Sequence, residues 1–315
     1  MRLAVRARVE GCVEGDVLAA IDAPPSLVRI WAMRGTLHLV AAADVRWLNA
    51  ILGPRLQAST ERRRRELGIP DERCAAALPL LDEVLAGGPL DRAGVVQGLG
   101  ERGFALTPGS QAVPHLLGYA AAAGLVCCGP GDTFALAERW LPAAPKPPKD
   151  PLAELARRYL GGHGPASAED FAAWSGLSLA QARKGFAAID GDLSWWETDH
   201  GRMATLVASP PEPGGSPSVR LLPRYDDYLL GWRDRDLVLD PAHRRAIHPG
   251  GGVLNAALTI DGVVRGTWRW QGPPGKRVLH VESFAGLTKA ERAAVTEDAA
   301  DITRFLKINP SMTME

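Results

Sequence analysis

Thr36 and His38 stand at alternate positions of a short apolar segment, so on an extended strand a hydroxyl and an imidazole project from one face. Such a pair can line a reactive cavity, because imidazole changes charge nearest to neutral pH. A histidine satisfied inside a β-hairpin is the non-catalytic alternative, and the residues alone leave both open. Adjacent carboxylates at Asp226 and Asp227 are the second candidate for acid chemistry, or else they cap the chain and pair with Arg224, Arg233 or Arg235. Four consecutive cations, Arg62, Arg63, Arg64 and Arg65, can replace counterions along a polyphosphate. Flanked by Glu61 and Glu66, they equally suit a solvated helix face laced by i,i+4 pairs. The glycines at 250–252, beside His248, Arg244 and Arg245, offer backbone amides to a phosphate or simply make a sharp turn.

Other chemistries find no such footing. The histidines at 38, 115, 163, 200, 243, 248 and 280 include no HExxH, and His243 with His248 lacks a cysteine partner, so no metal is expected. No GxGxxG, Walker A or GxSxG motif is present, so no cofactor is expected either. Cysteines at 12, 74, 127 and 128 form neither a disulfide framework nor a CxxC pair and read as reduced. Lys plus Arg and Asp plus Glu both number 36, so any electrostatic attraction must be local. Arg2, Arg6, Arg8 and Glu10 exclude a secretory leader at the start of this sequence, and the longest uncharged stretch, near 116–128, is too short to span a membrane. A cytoplasmic protein without membrane partners is expected.

With 315 residues, about two domains are expected from length alone. Pro and Gly punctuate the chain more finely, with a proline-rich linker at 142–151 and a second break at 211–217. Between them, 152–160 reads as a helix ending at Gly161 and Gly162, and Ser167 caps another that holds Phe171 and Trp174. Ser178 with Gln181 makes a capping box for a third, which buries Leu179, Ala182, Phe186 and Ile189 and exposes Gln181, Arg183 and Lys184. Strands at 193–198 and 203–208 follow, and three helices then a hairpin make a winged helix.

The order repeats upstream. A helix at 78–85, one capped by Asp91 and one opened by Thr107-Pro108 and carrying Gln111 precede strands at 125–128 and 133–136. Earlier still, strands at 27–33 and 36–40, joined through Arg34-Gly35, look like a third wing with most of its helices missing. After Pro217 the period becomes two, with strands at 219–222, 254–260, 263–270 and 278–284, a hairpin turn at Asp261-Gly262 and a final helix at 289–306. The expected fold is therefore α+β, tandem winged helices followed by a small β-rich domain. Its expected segments are a partial first winged helix (1–72), a second (73–145), a third (151–210) and the β-rich domain (217–315).

The stretch Val28-Arg29-Ile30-Trp31-Ala32-Met33-Arg34-Gly35-Thr36-Leu37-His38-Leu39-Val40 resembles the signature of the winged-helix DNA glycosylases of the AlkZ and YcaQ type, which unhook DNA crosslinks. So do Leu222-Pro223-Arg224-Tyr225-Asp226-Asp227-Tyr228-Leu229-Leu230-Gly231, the glycines after Pro249, and Gly266-Thr267-Trp268-Arg269. The resemblance implies hydrolysis of the N-glycosidic bond of an alkylated or crosslinked base. It places Thr36 and His38 along the cavity, with Asp226 and Asp227 in a family motif. It also implies double-stranded DNA as partner, and the local charge and polar faces offer Arg34, residues 62–65, Gln111, Gln181, Arg183, Lys184, Arg224, Arg233, Arg244 and Arg245 as candidate contacts. No heptad seam provides a dimer, so a monomer is expected.

One departure from the family pattern stands out. Members hold the attacking water with a glutamine and, two residues on, a glutamine or acid, upstream of the Arg-Gly-Thr-Leu-His segment. Here the glutamines are 57, 97, 111, 181 and 271, and no two are two apart. The expectation is therefore divided: the true protein starts earlier, or this member keeps the scaffold without the chemistry. A non-catalytic DNA-binding regulator or scaffold is the alternative.

Overall fold

A computed structural model describes residues 1–143, 145–206, 217–273 and 276–315. Helices and strands are mixed along the chain, which divides into two compact units interleaved in sequence. One comprises residues 18–158 and 171–190, the other residues 1–17, 159–170 and 191–315. Most of the expected 211–217 break, and the end of the expected 203–208 strand, lie outside the described residues.

In the first unit, strands Leu27–Trp31 and Leu37–Ala41 pair antiparallel with Val28 opposite Val40 and Ile30 opposite His38. Period-two alternation buries Val28 and Ile30 and turns Arg29 outward. The chain then forms a 22-residue helix, Val45–Glu66, with Pro54 inside it. Gly53, one residue earlier, is where this helix meets the end of helix Ala112–Ala122, since any Cβ there runs into the Ala122 carbonyl oxygen. Helices Asp71–Leu85 and Arg92–Glu101 follow, the second capped by Asp91, which accepts from the Gly94 amide at 2.8 Å. A three-stranded sheet in the order Leu90–Asp91, Thr133–Leu136, Val126–Cys128 closes the group. Leu81, Leu85, Leu99, Leu116 and Leu117 form its core, each worth about 1.5–3 kcal/mol by burial.

Several boundaries differ from expectation: the helix expected at 78–85 begins at Asp71, and the strand expected at 254–260 begins at Ala257. The helix expected to open at Thr107-Pro108 begins at Ala112, because residues 107–110 are used in a turn in which the Ser110 amide donates to the Thr107 carbonyl at 3.1 Å. Helix Pro151–His163 continues through Gly161 and Gly162, stopping just short of Gly164-Pro165, where proline disfavours helical geometry at the preceding residue. The helix penalty of two glycines, about 1 kcal/mol each, is outweighed by burial of Tyr159 and Leu160.

In the second unit, a five-stranded sheet runs in the order Ser311–Met314, Val278–Ser283, Val263–Gln271, Ala257–Ile260, Val219–Leu222. The first pair is parallel and the rest antiparallel. Asp261 and Gly262 turn between two strands with φ of 50° and 81°, as the hairpin signal requires. Helix Lys289–Leu306 carries a capping box from Thr288 and Glu291 and buries Val295, Ile302 and Phe305. Arg6, almost wholly buried, donates to Asp298 at 2.8 Å and to the Leu221 carbonyl at 2.8 Å, tying the first residues to helix and sheet. Strands Leu193–Thr198 and Gly201–Leu206 form a separate ribbon. No helix among the described residues is long and apolar enough to cross a membrane.

Candidate functional site

At the tip of the first ribbon, Arg34 (φ 56°) and Gly35 (φ 73°) make the turn, and Thr36 and His38 follow on its return side. The two side chains meet, with Thr36 Oγ1 and His38 Nε2 2.8 Å apart. Thr36 can also donate its single hydroxyl proton to the Met33 carbonyl, at 3.0 Å. With the hydroxyl proton on the Met33 carbonyl, His38 Nε2 is the donor to Thr36; with it on Nε2 the roles reverse. Thr36 is exposed and His38 half-buried, so the pair faces solvent from a fixed turn. An imidazole hydrogen-bonded to a hydroxyl can exchange a proton or orient a polar ligand.

Arg34, expected to meet DNA, is turned elsewhere. Its guanidinium donates to the Trp174 carbonyl, while Arg55 donates to the Gly176 carbonyl, so two cations hold the C-terminal end of one helix where its dipole is negative. Gly176 (φ 79°) has no room for a Cβ, which would sit 3.1 Å from the Arg34 amide nitrogen. Arg55 lies in the middle of a long helix, and nothing local in the sequence marks it.

The arginine run splits by helical geometry. Arg62 and Arg63 pair with Glu66 at 2.9 and 3.1 Å, Arg65 pairs with Glu61, and all three are exposed. The hydrogen bonds from Arg63 and Arg62 hold the Glu66 carboxyl below its ordinary range. Arg64 is fully buried, paired with Asp71 at 2.6 Å, donating to the Gln57 carbonyl at 2.8 Å and lying 4.9 Å over the Tyr119 ring. Arg64 is thus an internal anchor and not a surface phosphate ligand, because at about 3.6 residues per turn it lies opposite the arc that Arg62, Arg63 and Arg65 share.

Helix Leu179–Ala187 presents Arg183 and Lys184 exposed, as its periodicity requires. Gln181 completes the capping box, its Oε1 accepting from the Ser178 amide at 3.2 Å and hydroxyl at 2.9 Å. Gln111 is exposed just before helix Ala112–Ala122 and not within it.

In the other unit the acids separate. Asp226 is buried, accepts two hydrogen bonds from Arg8 at 2.7 and 3.0 Å and caps the Tyr228 amide at 3.0 Å. Its cation is therefore Arg8, not Arg224, Arg233 or Arg235, a partner 218 residues away with no local signature. Asp227 lies beside His163, which has Nε2 3.7 Å from the carboxylate and 3.4 Å from the Asp227 carbonyl. The His163 ring stacks on Tyr159 at 5.2 Å and meets Trp232 edge-on at 5.6 Å, and burial lowers its pKa. Tyr159 donates to the Gly231 carbonyl at 2.7 Å, and a side chain at Gly231 would run into the imidazole. In the same unit Arg224, Arg233, Arg244 and Arg245 are exposed, Arg224 lying 5.5 Å over the Tyr225 ring and Arg244 2.5 Å from Asp236. The structure thus brings Thr36 to His38 and Asp227 to His163.

The sequence profile of the family described as DNA glycosylase AlkZ-like matches residues 1–305. A Streptomyces sahachiroi protein named interstrand DNA cross-link repair glycosylase is 29% identical over 303 residues, spanning 89% of this chain and 79% of its own. The solved structure of Streptomyces sahachiroi DNA glycosylase AlkZ superposes with a TM-score of 0.80 at 24% identity, over 100% of this chain and 88% of that one, a likeness of fold. With the profile matched over nearly its whole length, the chain belongs to the AlkZ-like DNA glycosylase family.

Proposed function

We propose that this protein binds double-stranded DNA and serves excision of alkylated or crosslinked bases by hydrolysis of the N-glycosidic bond. The observation that carries the reading is the hydrogen-bonded Thr36–His38 pair in the Arg-Gly-Thr-Leu-His turn of a chain matched by the family profile over residues 1–305. Breaking that bond passes through an oxocarbenium-like sugar, so a site must position a water and stabilise positive charge beside it. Thr36 and His38 act together from their turn, His38 contacting a phosphate or the leaving base, and Asp227, beside His163 in the other unit, is a separate candidate acid. Asp226, saturated by Arg8, keeps the motif in place.

The helix and hairpin order supports winged-helix segments at 1–72, 73–145 and 151–210 before the β-rich 217–315 segment. Arg183 and Lys184 on one third helix, Gln111 at the head of the other, and exposed Arg62, Arg63, Arg65, Arg224, Arg233, Arg244 and Arg245 supply the duplex contacts. We read the protein as a cytoplasmic monomer. A second reading, a DNA-binding regulator or scaffold without hydrolysis, is favoured by the lack of any Gln-x-Gln or Gln-x-Asp triplet in these 315 residues. Both are tested with the product of the full reading frame on a plain and an alkylated duplex. Binding with base release supports the first, binding without release the second, and failure to bind at low salt overturns both.

A further inference from the structure

The loop at 248–254 is closed at its base by one residue. The Asn255 amide donates to the Ile247 carbonyl at 2.9 Å and its Nδ2 to the Ala246 carbonyl at 2.8 Å, so both ends of the loop are fixed to the short helix Arg244–Ile247. At the tip, the Val253 amide donates to the Gly250 carbonyl at 3.0 Å, and Gly250, Gly251 and Gly252 take φ of 111°, 60° and 75°. A turn of this kind engages the first carbonyl and the last amide and leaves the intervening amides facing outward. A Cβ built on any of the three glycines meets nothing within 4 Å, so the backbone is open to a bulky group.

The charge around the loop is positive. Arg244 is matched by Asp236 at 2.5 Å, while Arg245 beside it is exposed and makes no ion pair among the described residues. His248 inside the loop registers the field, since burial, then Arg235 and Arg244, push its pKa down to about 4. Its Nε2 is enclosed, so it is a reporter and not a ligand. A tetrahedral anion matches both features, with oxygens for several amides and for a guanidinium fork.

We propose that the amides of Gly251 and Gly252 together with Arg245 form a site for a phosphate group of the DNA backbone. The assignment rests on the DNA-binding reading above and adds a defined phosphate contact to it. Binding to duplexes with single methylphosphonate substitutions tests it, for the wild type and for Arg245→Ala, with thermal unfolding to show that the exposed substitution leaves the fold unchanged. One neutralised phosphate is worth a salt slope of about 0.9 and about five- to tenfold in affinity near 0.1 M salt. The expected result is a position at which the wild type loses that factor and the variant loses nothing further. Losses that add at every position overturn the site while leaving DNA binding intact. A second arm follows the glycine amides by NMR with inorganic phosphate. If the duplex does not bind but these amides shift, the DNA reading fails and the site takes free phosphate; if neither occurs, both fail.

Discussion

Replacing Arg64 by alanine separates anchor from surface within a run of four identical side chains. Its guanidinium is fully buried, donates to Asp71 and to the Gln57 carbonyl, and lies over the Tyr119 ring. Alanine there leaves a cavity in place of the long stem, exposes no compensating group to the Gln57 carbonyl and removes the cation–π contact. Because Asp71 is nearly half exposed and can be rehydrated, the loss falls at the low end of that for a broken buried pair, about 3 kcal/mol. At about 2–4 °C per kcal/mol, the melting temperature falls by about 6–12 °C. Arg63→Ala and Arg65→Ala, on exposed positions, leave the melting temperature within about 2 °C and weaken duplex binding. Far-UV circular dichroism and fluorescence-anisotropy binding read both effects. An Arg64→Ala protein as stable as wild type, with duplex affinity alone reduced, would refute the assignment.

Three further outcomes follow from the geometry. Burial pushes Cys127 up to about 12 and Cys128 and Cys74 up to about 11, so Ellman's reagent on the native protein should find one fast thiol, Cys12, and four after denaturation. His248 is held neutral to about 4, below its unfolded value of about 6.5. Its unfolded form therefore binds the extra proton first, and stability drops as pH falls from about 6.5 to about 4 and levels below; denaturant midpoints across that range, compared with His248→Gln, should show the drop flattened in the variant. Gly53→Ala and Gly231→Ala should each destabilise by about 1–3 kcal/mol through overpacking, the second perturbing the His163 ring resonances; wild-type melting in either variant would contradict the close approach.

What was legible in the sequence was local. The Ser178–Gln181 capping box, the Asp91 cap, the Asp261-Gly262 turn and the final helix at Lys289–Leu306 each depend on residues within four of one another, and the structure places them as read. The shared face of Thr36 and His38 was readable from strand alternation, whereas their hydrogen bond was not. Long-range pairing was not. Arg8 with Asp226 and Arg6 with Asp298 join residues over 200 apart, and the parallel strand Ser311–Met314 finds its partner only through the intervening helix. The long helix Val45–Glu66 hides behind Gly53 and Pro54, local helix-breakers kept because Gly53 is where another helix comes closest. The interleaving of the two units follows from tertiary packing, which no local periodicity encodes.

The most direct test of the account is base release. The product of the full reading frame is incubated with a duplex carrying a single N7-alkylated guanine, the free base is quantified by chromatography and the abasic site by alkaline cleavage. The account predicts release of the modified base with one alkali-labile site per duplex, greatly reduced by His38→Ala at unchanged melting temperature. A folded protein that binds the duplex and releases no base would contradict it.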